Sequence, residues 1–266
     1  MNWIELPGTV LRYELSGRGR PIVLVHEMGG TLNSWDAVAP RLAETHSVLR
    51  YDQRGAGLSE KASGRLALDD LADDLDALAD AVGLEGPALL VGAAVGAGIA
   101  LRHAVKRPAK AAGLVGFSPV TACPPERRGG VLTHADRIEG AGEGEGLRAM
   151  APTSIPNILP EALRTDDSAF RAARARWLAN DPRSFAAIYR MFAGLDLAPD
   201  YDAVRMPCLL VGAEHDGLRP PAEVEALAGA IPGAAYRSLP TGHVAAVQTP
   251  ALVVDTIRAF AAGIGH

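Results

Sequence analysis

Over its first residues the chain exchanges apolar and polar positions one by one. In "WIELPGTVLRYELSG" this is the alternation of a strand with one buried face, and Pro7-Gly8 in its middle predicts a hairpin turn. From Pro21 the pattern changes. "PIVLVHEMGG", "SVLRYDQRGAGLS", "PALLVGAAVGAG", "AAGLVGFSP" and "MPCLLVGAEHDGL" are short apolar runs that close in glycine-rich or polar loops, as strands buried on both faces do. Between them the period is helical. In "DDLADDLDALADAVGL" the residues Leu71, Leu75, Leu78 and Val82 form one apolar stripe on an otherwise acidic segment, whose leading aspartates suit the positive end of a helix dipole.

Strands alternating with helices predict an α/β protein with a mostly parallel central sheet and helices on both faces. Ligands meet such a sheet at the C-terminal ends of its strands. One segment breaks the alternation: about 90 residues separate the run ending near Phe117 from the one starting near Cys208, too many for one crossover. It reads as loop-rich at first ("CPPERRGG", "EGAGEGEG") and helical over "SAFRAARARWLANDPRSFAAIYRMFAGL". The natural arrangement is a helical insertion over the strand ends.

Composition narrows the classes. A chain of 266 residues, 48% hydrophobic and 21% charged, buries a large core and is not disordered. A net charge of −5 and a pI near 5.8, with no basic block, argue against a nucleic-acid partner. Cys123 and Cys208 are far apart and lack zinc or redox spacing, so no disulfide framework or metal site is expected, and a reducing, cytoplasmic setting is. The N-terminus lacks the basic region and apolar core of a leader, and no run approaches the roughly 18 apolar residues of a membrane span, so no membrane partner is expected. Oligomeric state is left open.

The chemistry is signalled by "LLVGAAVGAGIALRHA". In the strand-to-helix corner G-x-S-x-G, glycines lie two residues before and after a nucleophilic serine. Gly92 and Gly96 are in place, but the residue between them is Ala94. Downstream, "GAEHDGLRPP" puts Asp216 just past a strand end, and "LPTGHVAAVQTP" puts His243 in a loop before the terminal helix. Corner, acid, histidine is the chain order of a hydrolytic triad in which the acid fixes the imidazole tautomer and the imidazole moves the proton.

With "VLVHEMGG", "YDQRGAGLS", "VGAAVGAG", "GAEHDGLRPP" and "TGHVAAVQTP" in this order, the chain resembles the α/β-hydrolase fold superfamily, and most of all its small enol-lactonase and esterase members. The resemblance implies a hydrolase core of residues 1–118 and 201–266 with a helical lid at 119–200. It implies an oxyanion hole from the backbone N–H groups of Met28 and Val95. A cofactor-free enzyme acting on a small ester, lactone or related carbonyl compound follows. Two positions depart from the family. Ala94 stands at the nucleophile position, which excludes acyl-enzyme chemistry through residue 94; it is what a Ser→Ala change leaves, and it also suits a stretch that is small throughout. Glu27 stands where glycine is usual after His26.

Glu27 is a candidate general acid or base, or a group that positions water, working with His243 and Asp216; its alternatives are bonds to loop amides or to Arg54. His26 borders the substrate space and braces the oxyanion loop, and Trp177, Met191 and Phe192 are candidates for the substrate-binding wall. Asp52 and Arg54 read as loop scaffold, Trp35 and Met150 as packing. Cys123 and Ser118 are weaker substitutes for a nucleophile, and His215 is expected to point away if Asp216 points in. A cofactor-free lyase or isomerase, and a non-catalytic ligand-binding protein of the same fold, are the alternatives to a hydrolase.

Overall fold

The hairpin at Pro7-Gly8 and the apolar runs after it become strands in the computed structural model, which describes residues 2–62, 64–140, 142, 145–164 and 167–266. They are β1 (Asn2–Leu6), β2 (Thr9–Ser16), β3 (Pro21–Val25), β4 (Ser47–Tyr51), β5 (Ala88–Ala93), β6 (Ala111–Phe117), β7 (Cys208–Ala213) and β8 (Ala234–Leu239). They form one sheet in the order β1-β2-β4-β3-β5-β6-β7-β8. The pairs β1/β2 and β2/β4 are antiparallel and all the others are parallel. The helices are α1 (Ala39–Leu42), α2 (Leu68–Ala81), α3 (Val95–Lys106), α4 (Pro125–Glu139), α5 (Gly146–Ile158), α6 (Asp167–Leu178), α7 (Pro182–Ala193), α8 (Pro221–Ala230), α9 (Ala245–Gln248) and α10 (Pro250–Gly263). None among the described residues is long and apolar enough to cross a membrane.

Alternation along β3 sets the layers. Val23 and Val25 face a core shared with Leu71, Leu75 and Leu78 of α2, Ile99 of α3 and Val224 of α8. Ile22 and Leu24 face the opposite core, with Trp35, Leu42 of α1, and Val253, Val254 and Ile257 of α10. Each such side chain, fully buried, contributes about 1.5–3 kcal/mol of transfer free energy, so both sheet faces are strongly specified. The acidic face of α2 has a partner that its own pattern does not reveal. Asp69, Asp73, Asp76 and Asp80 meet Arg102, Lys106, Arg107 and Lys110, from α3 and the turn after it, at 2.6 to 2.8 Å. Partly exposed pairs of this kind are worth at most about 1 kcal/mol each, and they fix the register of the two helices more than they hold them.

The stretch after β6 departs from the expected loop. "PPERRGG" lies in or at the start of α4, which carries Gly129 and Gly130 within it. Pro125 at the first helical position suits a helix start, and the cost of two interior glycines, about 1 kcal/mol each, is offset by packing. Ala135 and Ile138 are buried against α5 and α7 residues, and Arg190 of α7 pairs with Asp136 and Glu139. Of "EGAGEGEG", residues Ala141, Glu143 and Gly144 lie outside the described residues. The four helices α4 to α7 share a third core, which includes Met150, Ile155, Trp177, Phe185 and, from beyond β8, Val244. That last contact ties these helices to the segment carrying His243.

Candidate active site

The turn between β5 and α3 is Ala94 alone. Its φ of 48° and ψ of −118° lie where a residue with a Cβ is rarely found, a strain of roughly 1–3 kcal/mol. Ser118, past the end of β6, has φ 45°, and these two are the non-glycine residues with positive φ among those described. The corner is held from both sides: the Ala94 N–H donates to the Phe117 carbonyl at 2.9 Å, and the Ala94 carbonyl accepts from the Val120 N–H at 3.0 Å. Its glycines serve close approach. A Cβ on Gly92 would lie 2.4 Å from Ala97 Cα, and one on Gly96 would lie 2.4 Å from the carbonyl oxygens of both Val25 and His26. Because those oxygens belong to backbone that cannot rotate away, Gly96→Ala is expected to destabilise the protein by about 3 kcal/mol. Urea unfolding of the variant beside the parent checks this, and a loss under ~0.5 kcal/mol would contradict the packing described.

Asp216 and His243 come together from the loops after β7 and β8. Asp216 Oδ2 lies 2.8 Å from His243 Nδ1, and Oδ1 accepts from the backbone N–H groups of Leu218 and Arg219, each at 2.9 Å. Burial alone would raise the carboxyl. The hydrogen bond from His243, its charge, the Ser118 hydroxyl and the Arg219 N–H outweigh burial and hold Asp216 below the usual carboxylate range. With the carboxylate accepting at Nδ1, the proton sits there and Nε2 carries the free lone pair. The acid is fully buried while the imidazole keeps 12% of its side-chain surface. An ionised acid behind a partly accessible imidazole is an arrangement that can withdraw a proton from a bound hydroxyl or water.

Beyond β3 the chain reverses at once. The Gly30 N–H donates to the Glu27 carbonyl at 3.1 Å, and Gly29, at φ 80°, occupies the third position where such a turn needs glycine. Met28 is the second residue of this turn, and Val95 is the first of α3, whose leading N–H groups have no partner within the helix. Glu27 is 7% exposed. Its Oε1 accepts from the Ser34 hydroxyl at 2.7 Å, and its Oε2 has no hydrogen-bond partner among the described residues. Gly30 makes room for it, since a Cβ there would lie 2.2 Å from Oε1. The expected alternative partner is taken elsewhere: Arg54 holds Asp74 of α2 through two bonds, at 2.9 and 2.6 Å.

His26 corrects an expectation. It is 1% exposed, and both ring nitrogens are engaged by backbone: Nδ1 donates to the Glu27 carbonyl at 2.7 Å and Nε2 accepts from the Gln53 N–H at 3.1 Å. Nothing is left over for a substrate, so it braces the loop only. The expected wall of Trp177, Met191 and Phe192 also divides. Trp177 borders a small cavity with Glu27, Met28, Ser34 and Val244, whereas Met191 borders a separate cleft of about 1370 Å³ with Lys61, Arg65, Asp69 and Arg102, and Phe192 packs against the core under α2 and α3. Glu27 is expected to work with His243 and Asp216. The cavity at Glu27 is not lined by Ala94, Asp216 or His243.

The other candidates fall where their surroundings send them. Asp52 is fully buried and accepts from the Leu32 and Leu58 N–H groups at 2.7 and 2.8 Å and from Arg12 at 3.2 Å, a loop scaffold. Burial pushes the Cys123 thiol up, away from thiolate chemistry. His215 is exposed while Asp216 is buried. Sequence patterns give no sign of Ser34, which lies outside every motif, as the residue that clasps Glu27, nor of Gln53, whose place in "YDQRGAGLS" carries no hint that it bridges to His26.

Residues 19–239 match the model of a family described as serine aminopeptidase, S33 (Hydrolase_4). Among solved structures, the chain superposes on a thermophilic esterase from Thermogutta terrifontis with a TM-score of 0.90, 27% identity and 99% of both chains covered. It superposes on the enol-lactonase from Burkholderia xenovorans LB400 with a TM-score of 0.88 and 23% identity, over 97% of this chain and 99% of that one, a likeness of fold. It is also 22% identical over 267 residues to the pyrrolizixenacetamide deacetylase of Xenorhabdus hominickii, covering 98% of this chain and 97% of that protein.

Proposed function

We infer the activity from one premise: this chain belongs to the Hydrolase_4 family, serine aminopeptidase, S33, and has the α/β-hydrolase fold. It is a hydrolase of the ester and lactone class that works without a cofactor on a small carbonyl compound. The observation that carries this reading is the 2.8 Å bond from His243 to a buried, ionised Asp216 at the strand ends beside the Ala94 corner. Relatives named as an esterase, an enol-lactonase and a deacetylase support it.

With no hydroxyl at residue 94, water is the nucleophile. His243 Nε2 takes a proton from that water as its oxygen bonds to the substrate carbonyl carbon, and Asp216 stabilises the imidazolium that forms. The N–H groups of Met28 and Val95 receive the negative charge on the carbonyl oxygen. As the carbonyl re-forms, the bond to the leaving oxygen breaks and His243 returns the proton to it. Residues 119–200 act as a lid over the core of 1–118 and 201–266. We assign the base role to His243 and not to Glu27, which borders a cavity that His243 and Asp216 do not line.

Hydrolysis of phenyl acetate and dihydrocoumarin in ¹⁸O-labelled water tests the scheme. One ¹⁸O is expected in the acid product, with no acyl adduct on the protein by mass spectrometry during turnover, and a loss of roughly 10²- to 10⁴-fold in His243→Ala. An acyl adduct, or turnover indifferent to His243, would sink it. The bare methyl at residue 94 favours one second reading, a ligand-binding protein that keeps the pocket, for which the same assay gives binding without product.

A further inference from the structure

Two residues that border the small cavity beside the Glu27 turn carry buried polar atoms of opposite character, and the hydrolytic scheme uses neither. Glu27 Oε2 is an acceptor and Trp177 Nε1 is a donor, and neither has a hydrogen-bond partner among the described residues. Both side chains are more than nine-tenths buried. They lie against adjacent glycines: a Cβ on Gly29 would lie 3.1 Å from Trp177 Cδ1, the carbon next to Nε1, and one on Gly30 would lie 2.2 Å from Glu27 Oε1. The cavity has a volume of about 30 Å³, room for about two water-sized groups. Ile155, Ile158, Leu159 and Val247 make much of its remaining wall apolar.

An unpaired buried donor or acceptor costs about 1–3 kcal/mol, so this pair rewards an occupant that satisfies both atoms at once. A water can do so but brings no selectivity. Arg174 and Arg176 also border the cavity, yet Glu27 makes no ion pair among the described residues, which leaves its second oxygen open to a neutral N–H donor. We propose that Glu27 and Trp177 form a recognition subsite for a carboxamide-type group, in which the ligand N–H donates to Glu27 Oε2 and the ligand C=O accepts from Trp177 Nε1. The nitrogen and oxygen of one such group fit within that volume. The Ser34 hydroxyl, bonded to Oε1, keeps the other oxygen occupied and the carboxylate oriented. The subsite lies on the Met28 turn and against Val244, the neighbour of His243 in sequence. It rests on the hydrolase reading for what is then done to the ligand, while the binding it predicts is measurable without turnover.

The test compares hexanamide with its isostere heptan-2-one, which keeps the chain and the carbonyl and lacks the N–H groups. Binding is followed by titration of the native chain and by the indole N–H resonance of Trp177. Hexanamide is expected to bind about 10-fold or more tightly than the ketone, since hydrogen bonds to charged groups are the strong ones, and to shift the Trp177 resonance. Glu27→Gln is expected to narrow the amide-to-ketone ratio, and Trp177→Phe to weaken both ligands alike. Equal affinity for the two compounds, or binding of neither, overturns the proposal. Because the native chain alone carries the main comparison, a variant that misfolds does not blunt it. Amide selectivity without any ester turnover would sink the hydrolytic scheme and leave the subsite standing.

Discussion

Ala94→Ser is expected to turn a chain that no acylating reagent captures at its corner into one that is labelled there by a fluorophosphonate, and to raise turnover of activated esters at least about 100-fold. The reasoning starts from the corner. Its geometry does not depend on the residue 94 side chain, because the N–H and carbonyl of that residue are tied to Phe117 and Val120 and the flanking glycines set the approach of α3. A hydroxyl added there is expected to meet an imidazole already oriented by Asp216. Removing the serine from a working triad costs on the order of 10⁶-fold, so restoring it to an intact acid and base recovers part of that factor, held back by whatever the pocket has lost in fit. The check is a burst of p-nitrophenol from p-nitrophenyl acetate in the variant and none in the parent. A variant that folds, lacks the burst and resists the label would show that the corner does not face His243.

Asp216→Asn carries the second large effect, a loss of roughly 10²- to 10⁴-fold in whatever hydrolysis the parent performs. The change is nearly isosteric and acts through a proton. An amide that donates toward Nδ1 moves the imidazole proton to Nε2, which can then no longer accept one. The same substitution has a stability signature with a definite sign. Burial raises the Asp216 carboxyl, its hydrogen bonds with His243 and Ser118 lower it more, and the balance lies below its ordinary value of 3.8. A carboxyl depressed by folding stabilises the protein above its unfolded value, and that stability is lost as pH falls through the lower folded value. The parent is therefore expected to lead the asparagine variant in urea unfolding near neutral pH, with the lead shrinking from about pH 4 downward. A constant lead across that window would mean that folding leaves the Asp216 carboxyl unshifted, and a lead that grows as pH falls would mean that it is neutral in the folded state.

How much of this the sequence makes legible depends on whether a feature is local. The buried strands declare themselves as unbroken apolar runs, and the corner, the acid and the histidine each follow a strand end, so their order alone predicts that the acid and the histidine meet, as they do at 2.8 Å. The helix α4 does not declare itself. Gly129 and Gly130 argue against a helix locally, and the apolar contacts that override them come from α5 and α7, which are distant in sequence or unpredicted. The wall of the pocket is illegible for a related reason. Trp177 and Met191 are 14 residues apart, but a turn between α6 and α7 sends them to different cavities, and no periodicity within either helix encodes that turn's direction. His26 is the subtlest case. Its residue type suits a ligand contact, and only the backbone of Gln53, brought in from another strand end, shows that its second nitrogen is already used.

The missing Cβ of Gly30 has a consequence for the history of the chain. The volume it leaves is the volume that the Glu27 carboxylate fills, at 2.2 Å from where that atom would be. Positions 27 and 30 are thus sterically coupled. A lineage that drops the glutamate is free to acquire a side chain at 30, but one that acquires the side chain first must expel the carboxylate and surrender its hold on Ser34. The order in which the two positions can be substituted is therefore constrained, with Glu27→Gly tolerated before Gly30→Ala and not after it.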